Sequence, residues 1–370
     1  MPPPAGLAAL ARDLVAIDSR SFISNLAIAE RIEAALPGFE IERLDYADSE
    51  GVPKRALVAH RGPDGGLALS GHMDTVPETG WQDDPWSGRI ENGVLHGLGA
   101  TDMKGPLASA IIAAQSLPPA TPITLLITSD EETTKEGARR IVQHSSLARR
   151  VKPAAMLVVE PTRLKPVRGH RSHIAFTCVA RGVQAHSSTG KGWNANWDLI
   201  PFMMEMKSVF QRLRDDPSLL DPDYDPPFCD FNMVIDNHGT AMNVTVPKAT
   251  ARIKFRYSAK VDPRPVLMAV YDSARRFGIE VTEAREGFPP ELPASDPFVR
   301  LCAKTVGAKA GTAPYGTDAS ELQALAPCVV LGPGDIAEAH TPTEKVRIPD
   351  LEAAVPVFMH IAELIARAEY

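Results

Sequence analysis

Four short apolar runs in this 370-residue chain each break off at residues that carry chemistry, and this pattern limits the possible folds more than any other feature. Leu67-Ala68-Leu69 runs into Ser70-Gly71-His72-Met73-Asp74-Thr75-Val76-Pro77, and Ile123-Thr124-Leu125-Leu126-Ile127 into Asp130-Glu131-Glu132. Met156-Leu157-Val158-Val159 runs into Glu160, and Cys328-Val329-Val330-Leu331 into Gly332-Pro333-Gly334 and then His340. Runs this short and this uniformly apolar predict strands buried on both faces, as in a largely parallel sheet covered by helices. Sheets of that kind gather their chemistry beyond the carboxyl ends of the strands. His72 and Asp74, two residues apart, are expected to share one face at such an end.

The rest of the chain supplies the layers. Leu7, Leu10, Leu14 and Val15, then Leu26, Ile28, Ile32 and Leu36, recur at helical spacing. Short strands are predicted at 41–44, 56–59 and 67–70, separated by signals such as Gly62-Pro63-Asp64-Gly65-Gly66. Residues 78–99 form a long loop with Trp81, Trp86 and the turn Glu91-Asn92-Gly93. Gly97-Leu98-Gly99 is not a dinucleotide fingerprint, because Asp102 takes the place of the third small residue and would repel a pyrophosphate. Pro106 is expected to open a helix with Leu107, Ala110, Ile111 and Ala114, leaving Asp102 in the turn before it. A strand at 123–127, a helix at 136–144 and a strand at 156–160 continue the parallel α/β alternation.

At 370 residues and 44% hydrophobic, the chain exceeds what one core usually serves, so a second domain is expected. The grammar changes after Pro161-Thr162. A strand at 175–179, a helix at 195–214 with Trp197, Ile200, Met203, Met204, Phe210 and Leu213 on one side, strands at 231–235 and 251–257, a helix at 265–277 and a strand at 279–282 make β-α-β-β-α-β. The prediction is therefore an α/β protein whose mainly parallel catalytic domain (1–172 and 288–370) is interrupted by a ferredoxin-like α+β domain (173–287). The α/β pattern resumes with a helix near 298–306, the strand at 328–331 and a C-terminal helix from Leu351.

A net charge of −7 without a long Lys/Arg run argues against nucleic acid and anionic membranes as partners. Cys178, Cys229, Cys302 and Cys328 form no C-x-x-C pair, which disfavours thiolate zinc and a disulfide framework and suits a reducing, cytoplasmic setting. The stretch Met1-Pro2-Pro3-Pro4-Ala5-Gly6-Leu7 has no basic n-region, and Arg12 and Asp13 break the apolar residues after it, so neither a signal peptide nor a span is expected.

Each polar residue at these strand ends has an ordinary explanation on its own. Asp130-Glu131-Glu132 suits a helix N-terminus, and Asp102 suits a turn. Together they place so many carboxylates at one sheet edge that cations are needed to hold them there. Imidazole and carboxylate without thiolate point to catalytic zinc, or to cobalt or manganese. One shared carboxylate would hold two ions about 3.5–4 Å apart.

These same residues carry a resemblance. His72-Met73-Asp74-Thr75-Val76-Pro77, Gly97-Leu98-Gly99 through Asp102-Met103-Lys104-Gly105, Asp130-Glu131-Glu132, Glu160-Pro161-Thr162 and Gly332-Pro333-Gly334 through Ala339-His340 resemble the co-catalytic zinc aminoacylases and exopeptidases. That family includes acetylornithine deacetylases, succinyl-diaminopimelate desuccinylases and glutamate carboxypeptidases. The stretch 160–170 and Leu331-Gly332-Pro333-Gly334 look most like the acetylornithine deacetylases. The resemblance implies two divalent ions per subunit, one on His72 and Glu160, the other on Glu132 and His340, bridged by Asp102. It implies that Asp74 orients the His72 ring and that Glu131 is the general base for a metal-activated water. It further implies a homodimer formed through the inserted domain, which then serves as a dimerisation and lid domain. His186, in Gly182-Val183-Gln184-Ala185-His186-Ser187-Ser188, would reach the partner's site to stabilise the oxyanion. Arg256 with Asn243 would grip the substrate carboxylate, and Gly316 and Thr317 would lie beside the substrate.

The activity so implied is removal of an N-acyl group, acetyl above all, from a small amino acid with a free carboxylate. A dipeptidase or carboxypeptidase on the same centre is the nearest alternative, and a catalytically silent dimeric homologue that binds metal or metabolite is the alternative of another class. Phe255-Arg256-Tyr257-Ser258 and Thr317-Asp318-Ala319-Ser320 depart from the acetylornithine deacetylase pattern, which puts ornithine in question but not hydrolysis. His170, Arg171 and His173 are either site-lining or polar residues of a domain hinge.

Overall fold

The computed structural model describes residues 6–369, so residues 1–5, the start of the stretch that lacks a basic n-region, lie outside the described residues. The chain divides into two compact units. One holds the chain up to Gly169 together with Pro290–Thr312 and the stretch from Thr317 onward, and the other holds His170–Pro289 with Ala313–Gly316.

The first unit is built on an eight-stranded sheet in the order Glu40–Ala47, Pro53–Arg61, Ile123–Thr128, Leu67–His72, Ala155–Val158, Cys328–Val330, Val167–His170, Gly311–Ala313. The four strands from Ile123–Thr128 to Cys328–Val330 run parallel, and Glu40–Ala47 and Pro53–Arg61 add an antiparallel flank. Side chains alternate between two cores, which is why the runs are apolar throughout. Leu67, Leu69, Leu125, Leu157 and Val329 face helices Leu7–Val15, Lys104–Ser116 and Ile348–Ala366. Ala68, Leu126, Met156, Val158 and Val330 face helices Glu136–His144, Ser146–Val151 and Ala319–Leu322. The helix expected to open at Pro106 begins at Lys104; Pro106 is accommodated because first-turn N–H groups lack intrahelical partners in any case.

The stretch 78–99 is not wholly a loop. Ile90–Glu91 and Val94–His96 form a hairpin, turned by Asn92 at φ 50° and Gly93 at φ 76°, and Val94–His96 pairs with Lys345–Arg347. Positive φ at both central residues is what a two-residue hairpin of the right twist requires.

The second unit has an antiparallel sheet ordered Asp230–Asp236, Lys248–Tyr257, Ser172–Arg181, Glu280–Arg285, with helices Asn196–Asp215 and Arg264–Phe277 packed on it. Its connectivity is that of a ferredoxin-like domain. Ile174, Phe176, Cys178 and Ala180 alternate into the core, as one-sided burial demands. The short segment Ala313–Gly316 joins this unit, with Ala313 accepting a hydrogen bond from the Arg171 N–H (3.3 Å). Among the described residues no helix is long and apolar enough to cross a membrane.

Candidate metal centre

Three parallel strands deliver their carboxyl ends to one place in the first unit. His72 closes Leu67–His72 and is buried. Its Nδ1 faces the Asp74 main-chain carbonyl at 3.0 Å, which leaves Nε2 towards Asp102 Oδ1 (3.1 Å) and Glu160 Oε1 (3.9 Å). A backbone acceptor on one ring nitrogen is how a ligating imidazole is usually held in the right tautomer. Asp102 presents its other oxygen to His340 Nε2 at 3.4 Å, and the same Nε2 lies 3.0 Å from Glu132 Oε1. Two three-residue clusters result, His72, Asp102 and Glu160, and Asp102, Glu132 and His340. Within each, the potential ligand atoms all lie within 4.8 Å of one another, and Asp102 belongs to both.

The electrostatics show what such crowding requires. Burial and the neighbouring Asp102 charge push Glu160 well above the usual carboxylate range, and burial lifts Glu132 to about 7. Burial also works to raise Asp102, but hydrogen bonds from His340 and His72 outweigh it and hold it below its ordinary value. His340 is raised to about 11 by its bonds to Asp102 and Glu132. Protons on these groups stand where cations would, so metal uptake has to displace them. The oxygen and nitrogen donor set, doubled around one carboxylate, fits a pair of divalent ions.

Glu131 is largely buried and raised by burial, against which the Lys135 ammonium 3.4 Å away acts. Lys135 also donates to the Thr317 carbonyl (2.8 Å). The Asp74 carboxylate, 3.7 Å from the His72 ring, is taken up elsewhere: it accepts from Ser21 Oγ (2.7 Å) and from the N–H groups of Glu131 (3.2 Å) and Glu132 (3.3 Å). It thereby fixes the turn on which both glutamates sit. Behind that turn Asp130, at φ 60°, is held by the buried Lys54 (3.0 Å) and the Tyr46 hydroxyl (2.6 Å).

Three groups of this centre escaped the sequence reading as site residues. Asp318 is buried, accepts from the Thr128 hydroxyl and is lifted to about 8 by burial and the Glu131 charge. Glu344 is buried and accepts from main-chain N–H groups of the Asp102 turn. Ser21 reaches Asp74 from a segment with no motif of its own. A departure from the family pattern was the one signal available, and it marked Asp318.

The remaining candidates lie in the second unit, apart from Thr317, which is buried in the first. His186 and Asn243 are exposed and adjacent: His186 bridges to Val244, and the Ser187 N–H donates to the Asn243 carbonyl (2.9 Å). Arg256 is half-buried, opposite His173 in the sheet, and pairs with Asp230 at 2.8 Å. Gly316 ends the 313–316 segment. His170 is buried, and His173 pairs with Glu286 (2.8 Å) within the same unit.

Comparison with known proteins agrees with this chemistry. The profile of peptidase family M20/M25/M40 matches residues 68–364. Acetylornithine deacetylase of Proteus mirabilis is 32% identical over 376 residues, covering 96% of this chain and 94% of its own. A family M20 metallo-carboxypeptidase from Sulfolobus solfataricus shares the fold at a TM-score of 0.76 and 16% identity, over 98% of this chain and 99% of that one. A dinuclear metal-binding peptidase from Bacillus subtilis does so at 0.65 and 16%, over 98% of each. A profile match across most of the chain, with a relative this similar along nearly all of both sequences, makes the chain a member of peptidase family M20/M25/M40 and a metal-dependent hydrolase.

Proposed function

We propose that the protein removes an N-acyl group, acetyl above all, from a small amino acid with a free carboxylate, as the related acetylornithine deacetylases are named for doing. The observation that carries this reading is the pair of clusters joined at Asp102 with Glu131 beside them. His72 and Glu160 would hold one divalent ion and Glu132 and His340 the other, with Asp102 shared; donor chemistry favours zinc, then cobalt or manganese. A divalent pair held by these residues would supply Lewis-acid polarisation of the scissile carbonyl and a water acidic enough to lose a proton near neutral pH. Glu131 would take the proton of the attacking water and return it to the leaving amine, its pose set by Asp74 through the backbone and by Lys135 through its side chain.

Arg256 and Asn243 bind the substrate carboxylate in this reading, Gly316 and Thr317 line its approach, and His186 donates to the oxyanion from a second copy of the chain. Support for that second copy lies on the surface of the second unit. Trp197, Ile200 and Met204 recur along one side of helix Asn196–Asp215 and are 61%, 46% and 60% exposed. The helix packs against the edge strand Asp230–Asp236, where Val234 and Ile235 are also exposed. An apolar face beside an open sheet edge is what a homodimer covers. His186→Ala is expected to leave the dimer intact and lower turnover; sedimentation and initial rates check this, and unchanged rates would remove His186 from the site. Four free, buried cysteines suit the cytoplasm.

Peptidase activity on the same centre is the second reading, favoured by the fold shared with the Sulfolobus solfataricus metallo-carboxypeptidase. A silent homologue would be expected to lack the base or a ligand, and here Glu131 and all five ligand candidates are present. The deciding experiment strips the protein with chelator, reloads it with zinc, cobalt or manganese, and assays N-acetyl-ornithine, N-acetyl-methionine, N-succinyl-diaminopimelate and several dipeptides. Metal-restored release of acetate from an acetylated amino acid is expected. Cleavage of dipeptides alone would replace the deacylase reading with the peptidase one.

A further inference from the structure

We infer that Glu344 is a positioning residue for the metal centre, setting the pose of the shared carboxylate Asp102 and so governing uptake of both ions together. It is 1% exposed, yet its partners are main-chain donors. Oε1 accepts from the N–H groups of Thr101 (2.9 Å) and Asp102 (2.9 Å), and Oε2 from Gly99 (3.0 Å). Its own main-chain carbonyl accepts from the Gly97 N–H at 3.1 Å. Four of the six main-chain N–H groups of the turn 97–102 are therefore turned towards one residue, while Leu98 and Ala100 donate to the Pro85 and Gly97 carbonyls. Such a concave set of N–H groups is a nest, a shape suited to a carboxylate.

The turn is also confined from the other side. Gly99 adopts φ 81°, and a Cβ there would sit 2.7 Å from Thr75 Cγ2 and 3.0 Å from Lys104 Cδ. Asp102 ends this constrained segment, with its N–H held in the nest and its carboxylate facing His72 and His340.

Glu344 also belongs to the segment that carries His340. Its N–H donates to the Thr341 carbonyl (3.3 Å), and the next residues, Lys345–Arg347, pair with Val94–His96. Asp335 adds a weaker tie between the same two segments, its N–H reaching Thr101 Oγ1 at 3.3 Å. One carboxylate thus couples the arm bearing His340 to the turn bearing Asp102. Because Asp102 is common to both clusters, displacing it affects both ions, which is the distinguishing consequence if two ions bind as proposed above.

The test is calorimetric titration of chelator-stripped protein with zinc, which does not depend on activity. Glu344→Gln keeps the volume but loses the charge, and affinity for both ions is expected to fall together by about 10- to 100-fold, the usual effect of removing a residue behind the ligands. Glu344→Asp keeps the charge one methylene short and should recover part of the loss; it also carries the test if the Gln variant does not fold. Thermal unfolding of the stripped proteins separates this from general destabilisation. Wild-type affinity in a folded Gln variant, loss of one ion with the other unchanged, or no zinc binding by the parent protein would each overturn the inference. A parent protein that binds two zinc ions but cleaves no member of the panel would sink the deacylase reading alone.

Discussion

Glu131→Gln is expected to lower turnover by roughly 10²- to 10⁴-fold, the range over which a positioned proton-transfer group acts, while metal content stays at two ions per chain. The substitution keeps the size of the side chain and its 3.4 Å approach to Lys135, but an amide cannot take up a proton at neutral pH. No ligand is touched, since Glu131 belongs to neither cluster. Parallel rate and metal analyses of one preparation decide the matter. A metal-loaded variant with near-normal rates would mean that another group moves the proton.

Asp102→Asn should have an effect at least as large, by a different route. Its carboxylate lies 3.1 Å from His72 and 3.4 Å from His340, the point where the two clusters meet. A neutral amide in its place offers one oxygen and no charge, so both ions should be lost together, and activity with them. Replacing a residue of one cluster only, such as His340, should cost one ion first. If the Asn variant still took up two equivalents of zinc in the calorimeter, Asp102 would not be the bridge.

The strand ends were legible because a strand buried on both faces has to be apolar along its whole length, so a histidine or acid at its end stands out. The alternation of Leu67 and Leu69 against Ala68 between two cores explains the run, and the run points to His72. Glu344 was not legible for the opposite reason. A carboxylate whose partners are main-chain N–H groups leaves no trace in the identities of those partners. Lys54 lies before the strand predicted at 56–59 and belongs to no motif, and only its burial against Asp130 shows that it steadies the turn of Glu131 and Glu132. The hairpin at 90–96 has strands of two and three residues, too short for any period to register. The 313–316 segment groups with the second unit, where Ala313 accepts from the Arg171 N–H, a backbone contact that no sequence pattern encodes.

The central sheet is assembled from chain segments on either side of the second unit: Cys328–Val330 lies beside Ala155–Val158, and helix Ile348–Ala366 covers one face. During synthesis the first 169 residues emerge with His72, Asp102 and Glu160 already present, but with Ala155–Val158 still an unpaired apolar edge. His340 and Glu344 do not yet exist at that stage. While the ribosome makes the roughly 160 residues between Gly169 and Cys328, the nascent chain carries an apolar edge open to aggregation, and the last fifth of the sequence both closes that edge and completes the second cluster.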